Sequence, residues 1–242
     1  YSSDTGGFGP VYARELTQEM SRVMDKLRAL PARLDGAYSG YLGTPDQADL
    51  VGRFMRQVGG LRVVDPVMGD EGKLYAAFDG SMVEKMRALC QGASVITPNL
   101  TEAALLLDWP YPERLSRAEA LSMLEALGAL SGGSVVITSA ELADFPHHKC
   151  TVARDAAGAF AVVAPRVPEH YPGTGDIFTS VLTGALLSGQ SLMAAVSRAA
   201  AFVYDCMAIT HAAGTPAREG VLLERALPKL LDPPSPVAVE AL

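Results

Sequence analysis

Three short apolar runs, each closed by a carboxylate or a hydroxyl, constrain this chain more than any other feature. Residues 61–65 read Leu-Arg-Val-Val-Asp, residues 93–97 read Ala-Ser-Val-Ile-Thr, and residues 134–138 read Ser-Val-Val-Ile-Thr. Runs of this length, rich in β-branched residues, are buried strands. Pro66 and Pro98 stop the first two. A fourth strand, before Ser39-Gly40-Tyr41, runs into a Gly-rich turn. Helical spacing of apolar residues fills the intervals, over about 16–30, 46–58, 81–89 and 116–130. Asn99 with Glu102, and Ser116 with Glu119, have the spacing of capping boxes and open two of the helices. The region 68–73 reads as a Gly- and charge-rich loop.

After residue 140 the pattern changes. Residues 150–154 and 160–164, joined by Asp155-Ala156-Ala157-Gly158, predict a β-hairpin. Two long helical patterns follow, about 177–187 and 192–209, and the tail with Pro233, Pro234 and Pro236 reads as ragged. Strands alternating with helices predict an α/β fold: doubly wound, with a mainly parallel central sheet and helices on both faces. Neither an internal repeat nor a linker divides the 242 residues, so one domain is expected.

Charge narrows the partners. Twenty basic residues against 27 acidic give a formal charge of −7, with no Lys/Arg cluster, which argues against nucleic acid and anionic membrane surfaces. No apolar run reaches the roughly 20 residues of a membrane span, and no signal peptide is visible. Cys90, Cys150 and Cys206 form neither a metal-ligand spacing nor a disulfide framework. A reducing cytoplasm is therefore the expected setting.

In such a sheet ligands bind beyond the carboxyl ends of the strands. Gly173-Thr174-Gly175-Asp176 opens a helix, and its small residues let backbone approach a ligand. The free N–H groups of that helix end suit an anion, and Asp176 beside them suits a general base. An equal reading makes Asp176 a first-turn carboxylate that favours the helix dipole. Asp65 and Asp70 suit Mg²⁺ beside nucleotide phosphates, or form an acidic solvated loop. Asn99 and Glu102 suit the same neighbourhood, or serve only the capping box. Tyr41 suits stacking on a planar ring, or packs at the rim.

Taken in this order, Ser3-Asp4-Thr5-Gly6, Ser39-Gly40-Tyr41-Leu42-Gly43, Asp65-Pro66-Val67-Met68-Gly69, Thr97-Pro98-Asn99-Leu100-Thr101-Glu102, Thr138-Ser139 and Gly173-Thr174-Gly175-Asp176 resemble the pyridoxal kinases of the ribokinase-like superfamily. The resemblance runs from Tyr1 to about Leu230. It implies ATP-dependent phosphorylation of the 5′-hydroxymethyl group of pyridoxal, pyridoxine or pyridoxamine. Asp176 matches the family's catalytic base, and the amides of Gly173, Thr174 and Gly175 match its anion hole. Asp70 and Glu102 match positions around Mg²⁺, through water where not direct. Asp70, Tyr75, Thr97, Asn99, Thr138 and Ser139 match ATP-side positions, with Tyr75 closing over the phosphates. Thr5 and Tyr41 match contacts to the pyridine ring, as Asp176 does to the reacting hydroxyl. The expected cofactors are ATP and Mg²⁺, with a monovalent cation such as K⁺ as an assistant. The expected partners are the vitamer, ATP and a second copy in a homodimer.

The chain departs from that pattern in three places. Similar kinases begin with roughly 40 more residues, a unit of ordinary βαβ size, so the N-terminal unit is expected to be missing from this chain. Asp4 stands where many relatives carry His. The loop from Asp70 to Tyr75 is shorter than in animal relatives and has a bacterial form. A hydroxymethylpyrimidine (phosphate) kinase of thiamine synthesis is the nearest alternative. Thr138-Ser139-Ala140-Glu141 in place of that family's Lys-Gly-Gly-His, and Gly40-Tyr41 in place of Gly-Met, favour the vitamin B6 reading. A non-catalytic vitamer- or nucleotide-binding protein is the alternative of another class, and the intact Asp176, Asp70 and Glu102 argue against it.

Overall fold

Apolar strands and one-sided helices assemble into a sheet covered on both faces. The computed structural model describes residues 2–3, 8–31, 33–235 and 237–242. In chain order the elements are α1 (Thr17–Ala29), β1 (Gly36–Ser39), α2 (Pro45–Met55), β2 (Leu61–Val64), β3 (Gly69–Asp70), β4 (Lys73–Leu74), α3 (Gly80–Cys90), β5 (Val95–Ile96), α4 (Leu100–Leu107), α5 (Arg117–Ser131) and β6 (Ser134–Ala140). Then come β7 (His148–Asp155), β8 (Gly158–Pro165), α6 (Thr174–Leu187), α7 (Leu192–Ala213), α8 (Leu223–Ala226) and β9 (Ala238–Ala241). The main sheet has the order β1-β2-β5-β6-β7-β8-β9. Its first four strands are parallel, and the last three extend it as an antiparallel wing.

The two-residue period of the strands explains the two cores. Val64, Ile96, Val135 and Ile137 pack with α2, α3, α4 and α5. Their neighbours Val63, Val95 and Val136 point the other way, onto α6 and α7. Burying each such side chain stabilises the fold by about 1.5–3 kcal/mol, so a one-residue slip in any strand would exchange both cores at once. The parallel register pairs Ser39 with Val64, Val64 with Ile96, and Ile96 with Val135. That levelling places Gly40, Asp65 and Thr97 side by side, one residue past each strand end.

Both capping boxes form as expected. Asn99 accepts from the Glu102 amide while Glu102 accepts from the Asn99 amide, and Ser116 and Glu119 do the same.

Three expectations are corrected. The loop at 68–73 contains a small hairpin, β3–β4, whose turn residues Glu71 and Gly72 have φ of 50° and 77°. Two positive φ values in a two-residue turn match the twist of paired strands. The ragged tail instead ends in β9, an edge strand paired with β8. Lastly, α7 with its 22 residues is long and apolar enough to cross a membrane by length and composition. The 20-residue limit was met because Arg198 and Asp205 are widely spaced among small apolar residues. Here α7 packs Ala195, Val196 and Ala199 into the second core.

Candidate functional site

Four parallel strand ends and one helix start converge at one end of the sheet. Gly173 adopts φ of 83° and ends the incoming loop, so α6 starts at Thr174 and carries Asp176 in its first turn. That left-handed conformation favours glycine because it lacks a Cβ. The helix cannot satisfy its own first N–H groups, which leaves the amides of the turn as donors. The backbone also comes close to β2: a Cβ on Gly175 would lie 4.0 Å from Asp65 Oδ2.

A polar cluster ties these parts together. The Tyr38 hydroxyl, on β1, donates to Asp176 Oδ1 at 3.1 Å. Thr179, one turn further along α6, places its hydroxyl 3.1 Å from Thr97 Oγ1 and 3.5 Å from Asp65 Oδ2. Asp65 is only 5% exposed. Burial, and then the Asp176 carboxylate, push its pKa up to about 8, against a hydrogen bond from Thr179. Asp65 therefore holds its proton through neutral pH, whereas Asp176 is exposed.

A second cluster lies along the loop after β2. Glu102 is 2% exposed, and both of its oxygens are engaged: Oε1 accepts from the Met68 amide at 3.1 Å and Oε2 from the Asn99 amide at 2.8 Å. Burial, then Asp65, raise its pKa well above the usual carboxylate range, while the amides act the other way. The Asn99 side chain donates to the Gly69 carbonyl at 2.8 Å, so the cap also holds the β3–β4 hairpin. Asp70 is half-exposed, with Oδ1 on the Glu71 amide and Oδ2 3.9 Å from His170 Nε2. That contact brings the loop after β2 to the loop before α6. Tyr75 follows the hairpin, and burial, then Glu102, Asp70, Asp65 and Asp176, push its phenol up to about 12. Tyr41 stacks on Phe78 at 5.6 Å between centroids with an interplanar angle of 30°, and Phe78 touches Tyr75 at 6.3 Å.

The expected residues thus divide into three groups. Gly173, Thr174, Gly175 and Asp176 meet Asp65 at the strand ends. Asp70, Tyr75, Asn99 and Glu102 share the neighbouring loop, and Tyr41 reaches that loop through Phe78. Thr138 pairs with Asn99 in an isolated bridge, and Ser139 is exposed with φ of 52° where the β6–β7 register shifts. Thr97 is placed differently from its neighbours. Expected on the nucleotide side, it is 2% exposed, and its hydroxyl is turned inward onto Thr179. Thr5 and Asp4 lie outside the described residues. Tyr38, Thr179 and Phe78 were not anticipated. The signals were faint: Tyr38 shares a strand face with Gly40 two residues on, and Thr179 lies three residues after Asp176 on one helix face.

Among the described residues no three His, Cys, Asp or Glu side chains gather as a metal cage. Mg²⁺ usually keeps several waters and binds through one or two carboxylates plus substrate phosphates. Asp70, half-exposed, fits that pattern. Glu102, spent on two amides, fits only a contact through water. A separate open cleft of about 830 Å³ lies at the opposite end of the sheet, lined by Arg62, Ser94, Ser134 and Arg154. It is at the amino ends of the parallel strands, away from every group described above.

The chain is similar to known kinases over most of its length. The profile of the phosphomethylpyrimidine kinase family matches residues 14–220. A pyridoxine/pyridoxal/pyridoxamine kinase of Bordetella avium is 32% identical over 180 residues, 72% of this chain and 60% of that relative. The chain thus spans less than two thirds of the length of the first curated relatives it matches. Among solved structures, a protein of Bacteroides thetaiotaomicron assigned as a phosphomethylpyrimidine kinase and crystallised with pyridoxal is 39% identical. It superposes with a TM-score of 0.93 over 100% of this chain and 86% of its own. Pyridoxal kinase from Leishmania donovani, in complex with ADP and pyridoxamine, is 25% identical with a TM-score of 0.86, over 100% of this chain and 86% of that one.

Proposed function

Because the chain belongs to the phosphomethylpyrimidine kinase family, among the pyridoxal kinases of the ribokinase-like superfamily, we propose that it phosphorylates the 5′-hydroxymethyl group of B6 vitamers with ATP. The observation that carries this reading is the start of α6. Its glycine turn offers free amides and the exposed Asp176 at one point, beside the ends of β1 and β2. A phosphoryl group in flight needs donors for its equatorial oxygens, and the attacking hydroxyl needs a proton acceptor within reach.

In this mechanism the substrate hydroxyl gives its proton to Asp176 as its oxygen bonds to the γ-phosphorus. The bond from that phosphorus to the β–γ bridging oxygen breaks, and ADP leaves. The amides of Gly173, Thr174 and Gly175 take up charge on the phosphoryl oxygens. Tyr41, supported by Phe78, offers a face for the pyridine ring. Asn99, Thr138 and Ser139 line the nucleotide side, and Tyr75 with the β3–β4 hairpin covers the phosphates and excludes water. Mg²⁺, held by Asp70 and through water by Glu102, supplies charge neutralisation on the phosphates when bound. The reading also includes a homodimer in the cytoplasm, for which light scattering of the purified protein gives the oligomer.

The name of the matching family favours hydroxymethylpyrimidine as a second substrate. One assay separates the two: ATP consumption with pyridoxal, pyridoxine, pyridoxamine and hydroxymethylpyrimidine, for the wild type and Asp176→Asn. Loss of the base should lower kcat by about 10³-fold. Turnover of the pyrimidine alone would favour the thiamine reading, and an Asp176→Asn variant near wild-type rate would refute the base.

A further inference from the structure

Asp176 sits in the first turn of a helix and faces solvent, where a short carboxylate has several open rotamers. A general base in that position is useful only when one oxygen is held towards the reacting hydroxyl. Among the described residues, the side chain that restrains it comes from across the fold. Tyr38, 138 residues earlier in the chain, donates its hydroxyl to Asp176 Oδ1 at 3.1 Å. We infer that Tyr38 is a positioning residue: its phenol fixes Oδ1 of Asp176 and so presents Oδ2 to the substrate hydroxyl. This rests on the reading of Asp176 as the base.

Three further observations support the assignment. Tyr38 is part of β1, paired in register with Val63 of β2, and its partly buried ring packs against the second core, which anchors it. Gly40 shares its strand face, and a Cβ there would lie 3.0 Å from the Tyr38 hydroxyl and 3.3 Å from Asp176 Oδ1. Any side chain at that position would press into the contact, so the glycine leaves room for the pair. Burial, then Asp65, then Asp176 push ionisation of the phenol far above its ordinary range. It thus stays a donor, and the carboxylate is always the acceptor.

The test is a double-mutant cycle with Tyr38→Phe and Asp176→Asn, measured as single-turnover phosphorylation of pyridoxal, with KM for ATP and Tm recorded for each protein. Tyr38→Phe keeps the ring and removes the donor. It should lower kcat by about tenfold to a hundredfold, the range of a hydrogen bond to a charged group, and leave KM for ATP within about twofold. In the Asp176→Asn background the same change should alter the residual rate by less than about twofold, because the group it orients is gone. Gly40→Ala keeps the phenol but crowds the pair. It should also lower kcat, and this loss too should vanish in the Asp176→Asn background. An unchanged kcat in Tyr38→Phe, or equal losses in both backgrounds, would overturn the inference while the kinase reading stands. A wild type that phosphorylates no vitamer would overturn both.

Discussion

Replacing Asp65 with Asn should stabilise the protein, by an amount that grows with pH. The carboxyl is buried, which pushes its pKa from about 3.8 up to about 8 on folding. Between those values the folded chain keeps a proton that the unfolded chain has released. Stability therefore falls by about 1.4 kcal/mol per pH unit as pH rises through the window. The contribution is intact below pH 4 and lost progressively up to about pH 8. Relative to acid conditions, the loss from this group is about 3 kcal/mol at pH 6 and about 5 kcal/mol at pH 8. Asn is neutral in both states and escapes the loss. Its amide differs from a protonated carboxyl in hydrogen bonding, but that offset does not vary with pH. The slope is therefore the informative quantity. Glu102 adds a slope of its own in both proteins, made smaller in the variant by removal of its Asp65 neighbour. Urea unfolding of wild type and Asp65→Asn in EDTA, without nucleotide, at several pH values from 5 to 8 measures it. Relative to its offset in acid, the variant should gain about 3 kcal/mol at pH 6 and about 5 kcal/mol at pH 8. Parallel stability curves for the two proteins across that range would refute the burial argument.

Other perturbations probe other parts of the fold. Leu127→Ala empties a fully buried position in the α5 layer and should cost about 2–5 kcal/mol in urea unfolding. Ser116→Ala removes an exposed capping box and should cost about 1 kcal/mol without changing turnover. Asn99→Ala removes a cap that also holds Gly69, so it should cost more than Ser116→Ala and raise KM for ATP; equal costs with unchanged KM would contradict the double role. Tyr41→Ala loses the ring stacked on Phe78 and should raise KM for pyridoxal about tenfold with KM for ATP unchanged, as steady-state kinetics would show.

The sheet was legible because its strands announce themselves locally. Val63, Val95 and Val136 sit in apolar runs with polar ends, and both capping boxes are contained in four residues. The β3–β4 hairpin was hidden because Glu71 enters a conformation that non-glycine residues rarely take. Strand β9 was hidden because its pairing with β8 spans some 75 residues of sequence and leaves Val239 exposed. In the site, the α6 turn could be read from glycine spacing and helix physics. The inward turn of Thr97 could not, because its partner Thr179 comes 82 residues later. The contact of Tyr38 with Asp176 depends on how far α6 sits over β1, a packing distance that no local pattern encodes.

The antiparallel wing also obeys a rule of parity. Strand β6 delivers the chain to the end of the sheet where Asp65 and Thr97 lie. Strand β7 carries it away, and β8 brings it back, so Pro165 leads into the loop that ends at Gly173. Two reversals cancel. With one strand fewer or one more before α6, the glycine turn would emerge beside Arg62 and Ser94, a sheet's length from the carboxylates it serves. Hairpins inserted or deleted whole between β6 and α6 would preserve the site's address, and single strands would not. The turn at Asp155–Gly158, far from the chemistry, is accordingly the place where this scaffold can be lengthened or tagged.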